Sequence, residues 1–247
     1  MFILRLLNPA HMRKMLIMLP VILFSCHSFI NRTIQGNGNL VKQARLVDVP
    51  DQIQVSGEID VVLRQGSQTA VTIEGDANLI PYIITRKENG RLVIRVKEHY
   101  SLASVKPVLV RITTNDLKEL SVSGSGNVNS EGLIVHNGNM EINVTGSGDM
   151  TLQLNAPSIN ADLTGSGNIK ISGETKDMKL AITGSGDFTG EGLKSENAEV
   201  HVNGSGTARV FADMKLDVEV NGSGDVFYKG NARVNQAVHG SGTISKI

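Results

Sequence analysis

Seven residues recur in one chemical setting, each directly after a Gly-Ser-Gly tripeptide: Asn127, Asp149, Asn168, Asp187, Thr207, Asp225 and Thr243. Oxygen-bearing side chains at equivalent places could bind a hard cation such as calcium, or they could hydrogen-bond to one another as a ladder along stacked segments. Calcium-binding repeats built on glycine-rich turns have a period of about nine residues. Here the tripeptide returns at about twice that distance, and every acid in the row has a neutral neighbour. The row therefore points to a structural corner ladder, with no metal.

A second row follows two positions later: Thr151, Lys170, Thr189, Arg209, Phe227 and Ser245. Arg209 and Phe227 fall on successive repeats, within reach of a cation–π contact, and with Lys170 they form a candidate binding patch. The competing reading is an ordinary solvated face. Ser123, Thr145, Thr164, Thr183, Asn203, Asn221 and His239 make a further polar row before the tripeptides. Neither His239 nor His27, His99, His136 or His201 has a carboxylate or cysteine beside it at zinc-ligand spacing. An enzyme acting on polysaccharide would need paired carboxylates, or a base beside calcium, in a groove. The isolated Asp149, Asp187 and Asp225 do not supply that, so the reading is noncatalytic and without cofactor.

What positions these rows is the repeat itself. The first glycines of the tripeptides are Gly124, Gly146, Gly165, Gly184, Gly204, Gly222 and Gly240, giving intervals of 22, 19, 19, 20, 18 and 18 residues. Such self-similarity marks a solenoid. Apolar residues stand two before each tripeptide (Val122, Val144, Leu163, Ile182, Val202, Val220, Val238) and two after it (Val128, Met150, Ile169, Phe188, Ala208, Val226, Ile244). Alternation continues on both sides, as in Leu216/Val218/Val220, which is the period of a strand. Two short strands around a glycine corner describe one rung of a parallel β-helix, and a lone rung cannot bury its apolar side, so the rungs must fold as a stack.

The chain has 247 residues and a formal charge of 0, with one cysteine and no tryptophan. Residues 1–25 read as a signal peptide, with a basic start at Arg13-Lys14 and an apolar run from Met15 to Phe24 that is too short to span a bilayer. Met12 is the better initiator. Leu23-Phe24-Ser25-Cys26 resembles a bacterial lipobox, which makes Cys26 the lipidation site; the alternative is a plain secretory signal with an incidental cysteine. Removing residues 1–25 takes away Arg5, Arg13 and Lys14 and no acid, moving the charge from 0 to −3. That balance offers nucleic acid no electrostatic footprint. Residues 26–40, with Gly36-Asn37-Gly38-Asn39, suit a flexible tether.

Residues 41–247 read as a single domain, with 41–122 as a less regular β region and 123–247 as regular rungs. Strand patterning falls at Val41–Val49, Gln52–Val55, Ile59–Leu63, Ala70–Ile73, Tyr82–Arg86, Leu92–Val96 and Val108–Thr113, and Asn89-Gly90 is the strongest hairpin signal. Val55–Val61 can be laid over Val122–Val128 as a diverged first corner, with Asp60 in the slot of Asn127. This region would cap the stack and hide its edge.

Gly57-Glu58-Ile59-Asp60-Val61, Gly75-Asp76 with Leu79-Ile80, Leu117–Gly126 and the later corners together resemble the putative auto-transporter adhesin, head GIN domain family. The resemblance spans about residues 40–245. It implies an all-β, right-handed parallel β-helix and a secreted or lipid-anchored envelope protein, and it carries over no catalytic residue. The expectation is thus a noncatalytic lipoprotein of the cell envelope, at the outer membrane, presenting its β-helix to a glycan or an envelope protein. Two alternatives stay open: a polysaccharide-active β-helix enzyme, and a scaffold or homo-oligomer joined by end-to-end rung pairing.

Overall fold

The computed structural model describes residues 32–247; the expected signal peptide and lipidation site, residues 1–25 and Cys26, lie outside them. Most of this span is a parallel β-solenoid. Alternate residues of each strand face opposite ways, so Met150, Leu152 and Leu154 are buried while Thr151 and Gln153 are exposed. Coils pair in register, Val122 with Val144, then Leu163, Ile182, Val202 and Val220. A second inward column runs through Val128, Met150, Ile169, Phe188, Ala208 and Val226. All twelve are at most 5% exposed, and they form the middle of one continuous core. Size compensates along the column: Phe188 is followed by Ala208, and Gly190 leaves room beside the ring, where a Cβ would overlap the phenyl edge.

The corners explain the tripeptide. Gly184 has φ of +122°, a conformation L side chains rarely adopt, and an added Cβ would also overlap the carbonyl oxygen of Gly165 in the preceding coil. The close approach lets that oxygen accept from the N–H of Ser185 at 2.9 Å and of Gly186 at 3.0 Å. The second glycine is equally confined, since a Cβ on Gly186 would meet the oxygen of Gly167. The first glycine is therefore demanded by the turn and by stacking, the second by stacking.

Val55, Gly57 and Val61 pair with Val122, Gly124 and Val128, as the sequence overlay implies. The coil they belong to, Gln52–Gly57 and Ile59–Gln65, is nevertheless second in space. Beneath it lie Arg91–Val96 and Val108–Thr114, also parallel, although they come later in the chain. Antiparallel strands then close this end of the stack: Ile83–Glu88 on Arg91–Val96, Ala70–Asp76 on Val108–Thr114, and Leu40–Arg45 on Ala70–Asp76. The hairpin turns at Asn89 and Gly90, with φ of 48° and 83°, the pair of positive values a tight two-residue hairpin requires.

The expected tether needs correction from Arg32 onward. Arg32–Gln35 pairs in parallel with Tyr100–Ala103. Buried Asp76 accepts the N–H of Gly38 at 2.6 Å and that of Val105 at 3.0 Å. A carboxylate satisfied by two amides clamps a glycine-rich segment that composition alone reads as loose.

Candidate functional site

With Asp60 in place, the corner row alternates acid and neutral throughout: Asp60, Asn127, Asp149, Asn168, Asp187, Thr207, Asp225, Thr243. Each neutral residue donates its backbone N–H to the carboxylate of the preceding coil: Asn127 to Asp60 at 2.9 Å, Asn168 to Asp149 at 3.1 Å, Thr207 to Asp187 at 2.9 Å and Thr243 to Asp225 at 2.8 Å. Three add a side-chain donor, Asn127 Nδ2 at 3.2 Å, Asn168 Nδ2 at 2.8 Å and Thr243 Oγ1 at 2.6 Å. The Thr243 hydroxyl and amide together hold the Asp225 carboxyl below its ordinary range. The acids thus have donors from their own scaffold. Among the described residues no three His, Cys, Asp or Glu side chains converge as a metal site.

The outward face after the corners carries two neighbouring columns. Lys170, Thr189, Arg209 and Phe227 follow one another in register, and the Arg209 guanidinium lies 4.6 Å from the centre of the Phe227 ring. In the next column Lys194 Nζ lies 4.0 Å from the centre of the Phe211 ring, and Phe211 pairs with Lys229. On these two adjacent coils cation and ring alternate like squares on a board. A bulge at Gly190–Gly192 carries Glu191 between them, 2.6 Å from Lys229 Nζ and 3.6 Å from Arg209. Lys229 foremost, by hydrogen bonding, holds the Glu191 carboxyl below its ordinary range. The sequence singled out Lys170, Arg209 and Phe227; Lys194 and Glu191 escaped it because the bulge breaks the period, and Phe211 and Lys229 because they stand one outward position further from the glycines.

The face before the corners holds a second group of charges, of which only His201 was considered from the sequence. Glu141, Asp162, Lys179, Glu199 and His201 line a shallow hollow of about 220 Å³. His201 reaches Glu199 at 3.0 Å and Glu219 at 3.5 Å. Partial burial, then the nearby Glu141, raises the Asp162 carboxyl, whereas His201 and then Lys179 lower that of Glu199. His136 likewise has a carboxylate partner, Asp116, at 2.7 Å. The expectation that His136 and His201 have no carboxylate beside them is corrected here: Asp116 and Glu219 come from about one coil away in sequence and become neighbours by stacking, while Glu199 lies two residues from His201 on the same strand. Glu141, Asp162, Glu199 and Glu219 stand on neighbouring parallel strands of one face, however, whereas a glycosidase pair flanks its bond from two sides. At the closed end, Leu40, Val41, Lys42, Lys106, Pro107 and Leu109 wall a hollow of about 470 Å³.

The corners, their register and the cap can be set beside known proteins. The family described as putative auto-transporter adhesin, head GIN domain, matches residues 50–232. The chain belongs to this family. Among solved structures the head GIN domain is similar to a putative adhesin from Bacteroides fragilis, with 24% identity and a TM-score of 0.82, over 87% of this chain and 100% of that one. It is also similar to two proteins from Parabacteroides distasonis, again over 87% of this chain and 100% of each. One is called a putative lipid binding protein, at 26% identity and a TM-score of 0.74. The other is called a putative adhesin, at 27% and 0.71. The search among curated proteins found no match. These likenesses agree with the solenoid fold of the head GIN domain.

Proposed function

We propose that this head GIN protein is a noncatalytic component of the cell envelope, anchored through lipid on Cys26, that presents its solenoid for adhesion or for interaction with a partner or surface glycan. The observation that carries this reading is the flat outward face on which Lys170, Arg209 and Phe227 stand in one column, held by the register of the coils beneath. Family membership supports an adhesive role at the cell surface. Against the enzymatic alternative stands the one-sided placement of Glu141, Asp162 and Glu199. A glycan array and a pull-down with residues 31–247, which cluster as one compact unit, test the binding reading. A specific hit supports it; neither a glycan nor an envelope protein retained would refute it. Cys26→Ala in the full chain should move the protein from the membrane fraction to the soluble fraction, and unchanged fractionation would refute the anchor.

A second reading is favoured by the hollow at the closed end. Its apolar wall of Leu40, Val41, Pro107 and Leu109 suits the chain of an amphiphile, and Lys106 offers its head an ammonium group; Asp60 and Glu74 line the same hollow, and Glu74 already holds Lys42 at 2.9 Å. One similar structure is called a putative lipid binding protein. Displacement of a fluorescent fatty acid, weakened by Lys106→Glu, would support it. Absence of displacement would remove it.

A further inference from the structure

We propose that the outward columns Lys170–Arg209–Phe227 and Lys194–Phe211–Lys229 form a binding strip for an acidic linear polysaccharide, one bearing carboxylate or sulfate groups at regular intervals. This rests on the adhesive reading above and gives it a ligand class. Four observations carry it. The first is charge: Lys170, Lys194, Arg209 and Lys229 face Glu174 and Glu191, a local balance of +4 − 2 = +2 on a chain whose formal charge is 0. The second is spacing. Lys170 and Arg209 sit two coils apart in register with Thr189 between them, and Lys194 stands over the ring of Phe211, which pairs with Lys229 on the following coil. At about 4.8 Å per coil Lys170 and Arg209 are roughly 10 Å apart, which suits a linear polymer whose anions recur at that interval, whether on every second sugar or, taken alternately, on every sugar.

The third observation is the pairing of cation with ring. A sugar presents an apolar C–H face as well as its charge, and the partly exposed Phe211 and Phe227, each with a cation over its ring at 4.0 and 4.6 Å, set apolar and charged surface side by side for both. The fourth is Glu191. Its carboxylate already lies between Lys229 and Arg209, at 2.6 and 3.6 Å, and so occupies the place a ligand carboxylate would take. It acts as an internal competitor, and removing its charge should free both cations.

The test measures binding of residues 31–247 to polygalacturonate, dextran sulfate, neutral dextran and anionic phosphatidylglycerol vesicles at low and high salt. We expect saturable, salt-sensitive binding to one or both acidic polymers, the two arms separating carboxylate from sulfate recognition. Lys194→Ala with Lys229→Ala should weaken it by about tenfold or more. Glu191→Gln should tighten it about threefold, an effect that damage to the fold cannot mimic. Lys179→Ala, on the other face, should leave it unchanged. Equal binding to neutral dextran, indifference to the Lys194/Lys229 double variant, or binding to vesicles alone overturns the proposal. A neutral glycan or a protein partner found by array or pull-down, unaffected by these variants, overturns the acidic-ligand inference while the adhesive reading stands.

Discussion

Asn168→Asp puts the alternation of the corner row to a quantitative test. Asn168 donates Nδ2 to Asp149 at 2.8 Å and pairs in register with Asp187, so the substitution removes a donor and sets three carboxylates on consecutive coils. At a coil spacing of about 4.8 Å, each new pair repels by about 0.9 kcal/mol in water. Two pairs give roughly 1.7 kcal/mol, and the lost hydrogen bond adds about 1 kcal/mol. The expected destabilisation is therefore about 2–3 kcal/mol in low salt, or about 1 M in urea midpoint at an m-value of 2–3 kcal/mol per M. At 1 M salt the screening length falls to about 3 Å, so most of the repulsion should vanish while the hydrogen-bond deficit stays. Asn168→Thr should cost less than about 1 kcal/mol, because a hydroxyl can do what Thr243 Oγ1 does for Asp225 at 2.6 Å. Urea titrations at two salt concentrations decide the matter. An Asn168→Asp midpoint equal to the parent's in low salt, or a deficit that salt leaves unchanged, would refute the reasoning.

Two glycines of similar backbone conformation should respond very differently to alanine. Gly132→Ala, at φ +88° with open space around it, should cost about 1–2 kcal/mol from strain alone, whereas Gly184→Ala also drives a Cβ into Gly165 and should cost well above that, read as thermal midpoints. Asp76→Ala strands the N–H groups of Gly38 and Val105 and should cost about 2–4 kcal/mol, with new protease cleavage within residues 36–45 as its signature. For Asp162 the folded carboxyl is raised, so the fold binds that proton more tightly than the unfolded chain does. Its penalty is absent in acid, grows as pH rises from the ordinary aspartate range to the raised value, and is constant above it. Asp162→Asn should accordingly raise the urea midpoint at pH 7 and lose that advantage near pH 3; a gain that is the same at both would contradict the assignment. Glu199 runs the other way: its lowered carboxyl favours the fold at neutral pH, and that contribution fades as pH falls below the ordinary carboxylate range.

The regular coils were legible because the solenoid turns one local period into the entire tertiary register. Gly124, Gly146 and Gly165 are neighbours in space for the same reason that they are neighbours in the repeat. The closed end was less legible. Strand positions could be read there from alternation, yet nothing local says that Leu92 lies beneath Ile53, because the excursion through residues 66–118 folds back under the coil it leaves. Arg32–Gln35 escaped notice for a related reason: its pairing depends on Tyr100–Ala103, a partner 68 residues away in register. The charged neighbours Glu141, Asp162, Glu199 and His201 were within reach of the sequence, had every column of the period been tabulated rather than those beside the glycines.

The columns also show which side chains the fold dictates. Inward positions must be apolar and must compensate in size, as Phe188 and Ala208 do. Corner positions must exchange hydrogen bonds between coils, and the tripeptide glycines admit no side chain. The outward column through Thr151, Lys170, Thr189, Arg209, Phe227 and Ser245 answers to none of these demands, for each residue type sits on the same backbone in the same register. Threonine or serine would satisfy the coil at every one of those places. Cations and rings on adjacent coils are thus not explained by folding, and their concentration around Arg209, Phe211, Phe227 and Lys229 is what gives that face its weight as a recognition surface.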